Sequence, residues 1–183
     1  MAAFLQTAAP HTLWDIGANN GDFSRIAARQ GIKTIAFDID PCAVNKNYLI
    51  VRNSGEKNLL PLLLDLTNPS PAIGWAHTER LSLAQRVNAD AVMALALIHH
   101  LAIGNNLPLN GIAAYFASLG KKLIIEFVSK EDSKTQLLLA ARKDIFSDYT
   151  QEGFENAFRR HFSIERAEPL PGSCRTLYLM CVK

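Results

Sequence analysis

Three aspartates stand at the ends of three short apolar runs, and any chemistry at one edge of the chain starts with them. The first, Asp15, lies in "WDIGANNGDFSRIAARQG" (14–31), where Gly17 and Gly21 separate an apolar run from a helix-like one. The second, Asp38, lies in "AFDIDP", and the third, Asp65, in "LLLDLT". A strand that ends on an acid and passes through glycines into a helix brings bare backbone N–H groups and a helix N-terminus to the carboxyl edge of a sheet. Ligands of open α/β sheets bind there. Farther along, "DAVMALALIHHLAIGNN" places two adjacent histidines, His99 and His100, after a fourth apolar run.

The guest of the glycine turn can be narrowed by charge. The dinucleotide fingerprint is G-x-G-x-x-G, whereas here the run is "GANNGDF". Asn19 stands where the second glycine would admit a pyrophosphate, and Asp15 would repel it. S-adenosylmethionine carries no phosphate, and its sulfonium and methionyl ammonium both favour a nearby carboxylate. On that reading Asp15 faces the cationic end and Asp38 accepts hydrogen bonds from both ribose hydroxyls, each worth roughly 1.5–3 kcal/mol. Asp65 accepts from the adenine amino group, Leu66 offers an apolar edge and Ile39 packs beside the ring. Ordinary structural roles stand next to these. Gly17 can be only a tight-turn glycine, Asp38 a cap ahead of Pro41 (though Asp40 is better placed), Asp65 loop chemistry and Ile39 a buried aliphatic.

These residues need a frame. Apolar runs of strand length occur at 12–16, 33–37, 59–64, 91–96 and 122–127, with helical patterns between them at 22–30, 41–53, 75–86 and 109–119. Near-continuous apolar strands alternating with helices predict a doubly wound parallel sheet covered on both faces. After helical stretches at 133–146 and 151–160, "HFSIERAEPL" and "CRTLYLMCVK" are separated only by "PGS", so these two strands must run antiparallel. "NPSPAIG" (68–74) reads as a loop inside one domain spanning 1–183. The first strand begins so early that this domain can be the C-terminal part of a longer protein.

With Asp15, Gly17, Gly21, Asp38 and Asp65 in order at successive strand ends, the chain resembles the class I S-adenosylmethionine-dependent methyltransferases, a Rossmann-like family. The resemblance covers nearly the whole chain, terminal hairpin included. It implies an α/β fold with a seven-stranded, mostly parallel sheet of order 3-2-1-4-5-7-6, strand 7 antiparallel. It also implies that Ala18, Asn19, Phe23 and Ala94 join the cofactor site, that S-adenosyl-L-methionine is the cofactor and that S-adenosyl-L-homocysteine is the product. "NPSPAIGWAHTERLSLAQR" and "IIEFVSKEDS", the latter with Glu126 and Asp132, are similar to a bacterial group of nodulation-related methyltransferase-like proteins.

Methyl transfer asks the protein to align acceptor and methyl at roughly 3–3.5 Å and to remove a proton where the acceptor carries one. His99 and His100 follow the fourth strand, where acceptor residues are expected, and a histidine with a pKa of about 6.5 suits a general base. In the structural alternative one of them packs against the following helix and the other is solvated; "HHL" also resembles a common non-catalytic signature of the family. The Asn-Pro-Pro-aromatic motif of amino-group methyltransferases follows strand four, whereas "NPSP" follows strand three, so adenine-N6 and glutamine methylation are set aside. Trp75 and Arg80 can shape an acceptor pocket, or Trp75 can belong to the core. Glu126 is either a buried acid or the polar end of a strand.

Totals bound the rest. With 183 residues, 49% hydrophobic, one core is expected, and 19 basic against 17 acidic residues leave no electrostatic footprint for nucleic acid. Cys42, Cys174 and Cys181 show no metal or disulfide spacing, no metal cluster is apparent, and neither a leader nor a membrane span is indicated. The expectation is a cytoplasmic methyltransferase acting on a small-molecule or carbohydrate hydroxyl. A catalytically silent S-adenosylmethionine-binding module is the alternative, with a nicotinamide-dependent oxidoreductase third.

Overall fold

The computed structural model describes residues 1–86 and 88–183. Its seven strands are β1 (Thr12–Ile16), β2 (Lys33–Asp38), β3 (Leu59–Leu63), β4 (Ala89–Ala94), β5 (Gly120–Val128), β6 (Phe162–Pro169) and β7 (Arg175–Val182). They form one sheet in the order β3-β2-β1-β4-β5-β7-β6. β1 through β5 are parallel where they pair, and β7 runs antiparallel to both neighbours. The sheet order and the antiparallel hairpin are those expected.

Side chains alternate across the sheet with a period of two, which divides the core. Trp14, Ile16, Val92, Ile125, Phe127 and Tyr178 pack with α4 (Leu109–Leu119) and α6 (Gln151–Phe158). Leu13, Met93, Ile124 and Leu179 face α1 (Ala2–Ala8) and α2 (Asp22–Arg29). α3 (Pro41–Ser54) covers β2 and β3; Asp40 is its cap, accepting from the Cys42 N–H at 2.8 Å.

Four elements differ from expectation. α1 is unheralded because it has no side-chain cap; it is held by burial of Phe4, Leu5 and Ala8, with the Arg166 guanidinium 4.5 Å from the Phe4 ring. Seven residues with so little local signal depend on such packing. The helix expected over 75–86 is replaced by two short 3₁₀ turns, Trp75–His77 and Leu83–Gln85. Gly74, Ala76 and His77 have positive φ, and Ile73 bridges to Arg80, so the backbone doubles back; Trp75 is 84% exposed and belongs to no core. α5 (Ser133–Ala140) stops before Phe146, because Arg142 turns away to the Ile103 carbonyl and Asp144 takes up Lys130 and the Phe146 N–H. Strand β4 ends at Ala94, not residue 96: Ala96 is left-handed and the chain enters a wide π-helical turn, His100–Gly104, a form often found at functional sites.

The largest apolar concentration lies under α6, where Phe154 stacks among Phe127, Phe158 and Tyr178 with ring centroids 4.3–5.2 Å away. Replacing Phe154 with Ala is expected to cost about 3–5 kcal/mol. Urea unfolding monitored by tryptophan fluorescence would read this as a lowered midpoint, and an unchanged midpoint would refute the packing described.

Candidate functional site

A cavity of about 900 Å³ opens along the carboxyl edge of the sheet. That is large enough for a nucleoside-sized ligand and a second molecule beside it. One end is built by the β1–α2 turn. Gly17 and Gly21 sit at φ 79° and 80°, and Asn19 at φ 50° is left-handed as asparagine tolerates. The N–H groups of Gly17 and Ala18 both donate to the Phe37 carbonyl at 2.9 Å, so the turn is tied across to β2.

Asp38 continues that tie. One carboxylate oxygen accepts from the Asn19 N–H at 2.6 Å and the other from the Asp40 N–H at 2.8 Å. The carboxylate is thereby fixed facing the cavity with lone pairs to spare, while capping of α3 falls to Asp40. Ile39 and Phe23 line the same space at 63% and 49% exposure, so Ile39 is no buried aliphatic. Asp65 and Leu66 line it too. Asp65 also accepts from the Thr67 hydroxyl and N–H at 2.7 and 2.8 Å, and those bonds, the hydroxyl first, hold its carboxyl below the usual range.

Three of the expected cofactor residues, Asp15, Gly21 and Ala94, are not among those lining the cavity. The reason for Asp15 is the strand's alternation: Ile16 points to the cavity, so Asp15 points with Leu13 to the α2 side. There it is 2% exposed and accepts from the Ser24 hydroxyl, and burial pushes its carboxyl up to about 7. The nearby Asp38 charge raises it further, against the Ser24 bond. Gly21 lies behind the turn, where a Cβ would stand 2.4 Å from the Asn47 amide. Ala94 is fully buried in the core.

Arg25, which the sequence did not single out, braces the turn from behind. It is buried, donates to the Asn20 carbonyl at 2.7 Å and to Asn47 Oδ1 at 2.6 Å, and lies 3.3 Å from Glu56. The single sign of this in the sequence is an arginine four residues past Gly21 on an otherwise small-residue face.

The other end of the cavity is made by residues after β4 and on β5, α5 and β7. His99 and His100 both line it, their rings 4.3 Å apart. His99 is 1% exposed, and neither ring nitrogen has a hydrogen-bond partner among the described residues. Burial, then the charges of His100 and Arg175, press its pKa down to about 4, so it is neutral at pH 7; burial lowers His100 as well. Glu126 is buried, accepting from the Ala96 N–H at 2.6 Å and pairing with Arg175 at 3.4 Å. Lys134 and Arg175, unforeseen from sequence, complete the lining. Trp75 and Arg80 take no part in it. Among the described residues no cluster of metal-ligating side chains occurs, and no helix is long and apolar enough to cross a membrane.

Sheet order, glycine turn and edge cavity together give the chain the class I S-adenosylmethionine-dependent methyltransferase fold. The magnesium protoporphyrin IX methyltransferase of Synechocystis PCC 6803, a structure with bound S-adenosylmethionine, superposes with a TM-score of 0.65 at 16% identity, covering 100% of this chain and 76% of that one. The PH0226 protein of Pyrococcus horikoshii OT3 gives 0.64 at 17% identity, over 99% and 89%. In sequence, the chain is 46% identical over 180 residues to the nodulation protein NoeA of Rhizobium meliloti strain 1021, which accounts for 97% of this chain and 37% of that protein. The chain thus spans little more than a third of that relative's length. No family model matches it.

The burial of Asp15 has a measurable consequence. A carboxyl whose folded pKa is raised to about 7 favours the fold while protonated, and that contribution is lost as pH rises from the ordinary value of 3.8 through 7. Asp15→Asn keeps an acceptor for Ser24 without the charge. Its stability relative to the parent protein is expected to rise from pH 4 to pH 8, by up to roughly 4 kcal/mol. Urea titrations at both pH values check this, and a pH-independent difference would contradict it.

Proposed function

We propose that the chain, over residues 1–183, is an S-adenosylmethionine-dependent methyltransferase domain acting in the cytoplasm on a hydroxyl of a small-molecule or carbohydrate acceptor. The observation that carries this reading is the single cavity running from Asp38 and Asp65 at one end to His99 at the other. The residues fit the cofactor. Asp38 has lone pairs free for two ribose hydroxyls, Phe23 and Ile39 present exposed apolar surface for an adenine, and the Gly17–Ala18–Asn19 backbone leaves room beside them. The bound cofactor would supply an electrophilic methyl on a sulfonium.

Under this reading Asp38 holds the ribose, and Ile39, Asp65 and Leu66 receive the adenine. Asp15 acts through the turn, from beneath it, with Gly21 behind the same turn, and Ala94 supports the lining from the core on the other face of the sheet. His99 is the residue placed to receive an acceptor proton, because it is neutral and has two unengaged ring nitrogens. A base with a pKa near 4 is weak, so most of the work falls to alignment of the acceptor, with His100 at the rim.

That weak base also favours a second reading, a module that binds the cofactor without transferring its methyl. Transfer of labelled methyl from S-adenosylmethionine into a cell extract separates the two. Label incorporated above a no-protein control supports the enzyme, whereas cofactor binding without incorporation supports the module.

Calorimetric titration with S-adenosylhomocysteine is expected to show affinity on the order of micromolar. Asp38→Ala should weaken it at least about a hundredfold, the loss of two charge-assisted bonds. Equal affinity in both proteins would overturn the role given to Asp38. Where transfer is measured, kcat/KM should stay flat as pH falls from 8 to 5.5, since His99 titrates near 4 and not near 6.5. A fall centred on about 6.5 would point to an unperturbed histidine instead.

A further inference from the structure

Arg175, the first residue of β7, reaches the cavity from across the sheet, where it pairs in register with Val128. Its Nε donates to Asp132 Oδ2 at 2.7 Å, Nη2 to Asp132 Oδ1 at 3.3 Å and Nη1 to Glu126 Oε1 at 3.4 Å. Both partners are themselves anchored. Asp132 caps α5 by accepting from the Lys134 N–H, and the second Glu126 oxygen holds the Ala96 N–H. The guanidinium plane is therefore fixed by two carboxylates remote from it in sequence, one on β5 and one at the cap of α5, at a position where a lone arginine on a strand would swing free.

The charges at this end cancel. Arg175 is held between Glu126 and Asp132, and Lys134, an exposed lysine, adds a second cation to the cavity lining, to which Asp132 does not itself belong. An anionic acceptor would meet a guanidinium already neutralised by two carboxylates, and a cationic one would meet a guanidinium set among the acids. What remains is directional. Of the five N–H donors of an arginine, three are engaged, and the carboxylates keep free lone pairs. His99 adds a second and independent sign that something binds here: it lines the cavity, is 1% exposed and finds no partner for either ring nitrogen among the described residues. Buried polar groups are ordinarily satisfied, and leaving one unmatched costs free energy that a ligand can recover. The neutral imidazole offers one donor and one acceptor. Leu170 and Leu177 supply apolar wall beside these groups.

We propose that this end of the cavity is an acceptor subsite organised by Arg175 for a neutral, hydroxyl-rich molecule such as a sugar ring, whose adjacent hydroxyls each donate and accept. The proposal rests on the methyl-transfer reading of the same cavity. Arg175 is its recognition residue, Glu126 and Asp132 position that arginine, and His99 meets the hydroxyl nearest the cofactor end.

Saturation-transfer difference NMR with three probes tests it: methyl β-D-glucopyranoside, glucuronic acid and glucosamine, each with the protein alone and with S-adenosylhomocysteine added. The neutral glycoside is expected to receive saturation, with either charged sugar weaker. Arg175→Gln should reduce the glycoside signal about tenfold and leave the calorimetric affinity for S-adenosylhomocysteine unchanged. A charged probe that binds as well as the neutral one, an Arg175→Gln protein that binds it undiminished, or no glycoside binding in either state overturns the subsite. Should Arg175→Gln fail to fold, the ranking of the three probes on the parent protein decides. Failure to bind S-adenosylhomocysteine is a different result: it overturns the cofactor reading, while the glycoside measurement on the protein alone still reads the subsite.

Discussion

A single carbonyl, that of Phe37, organises the ligand edge of this molecule. It accepts from both the Gly17 and Ala18 N–H groups, and those two bonds oblige the chain leaving β1 to fold back over the end of β2 before α2 can start. Such a path needs left-handed backbone at Gly17, Asn19 and Gly21, which glycine adopts freely and asparagine tolerates. The path in turn delivers the Asn19 N–H to Asp38. The acid at the end of β2 is thereby aimed by the turn after β1, and the cavity has its floor and one wall before any other element contributes.

Behind the turn, polar groups are buried and mutually engaged. Arg25 links the Asn20 carbonyl to Asn47 on α3 and lies against Glu56, and Gly21 is packed so close to Asn47 that no side chain fits between them. Asp15 shares this protected side, with Ser24 as its partner. Two carboxylates, Asp15 and Asp38, flank one thin turn. One faces the cavity, and the buried one is the acid whose pKa is raised, which favours its protonated form. Desolvation decides which acid that is, because β-strand alternation puts Asp15 under α2 and leaves Asp38 at the edge.

How much of this was legible in the sequence depends on the range of the interaction. The five parallel strands were, because buried parallel strands are continuous apolar runs, and the terminal hairpin was, because so short a turn admits one geometry. The places of Asp38 at a strand end and of Gly17 and Gly21 in the turn were legible from local sequence, but that Gly21 lies behind the turn and not in the cavity lining was not. The inward turn of Asp15 followed from period-two alternation in "WDI", given that Ile16 faces the cavity, but only the sheet says which face that is. Two features depended on distant partners: α1, whose seven residues are stabilised by burial, and Arg175, which sequence alone presents as the flank of an apolar strand; the segment 75–86 differs for a local reason, its helical pattern overridden by left-handed residues and the Ile73–Arg80 bridge.

The two ends of the cavity consequently differ in kind. At the glycine-turn end the decisive contacts join residues of one β–α–β unit, such as Asn19 with Asp38. At the other end Glu126 fixes Ala96 from 30 residues away, and Arg175 reaches Asp132 and Glu126 across 43 and 49. Each of those partners sits on a separate element, so one substitution there can reshape the wall without touching the turn or the sheet. The fold itself is shared at 16–17% identity with other proteins. The chain's long-range polar contacts at the cavity are concentrated where β4, β5, α5 and β7 meet.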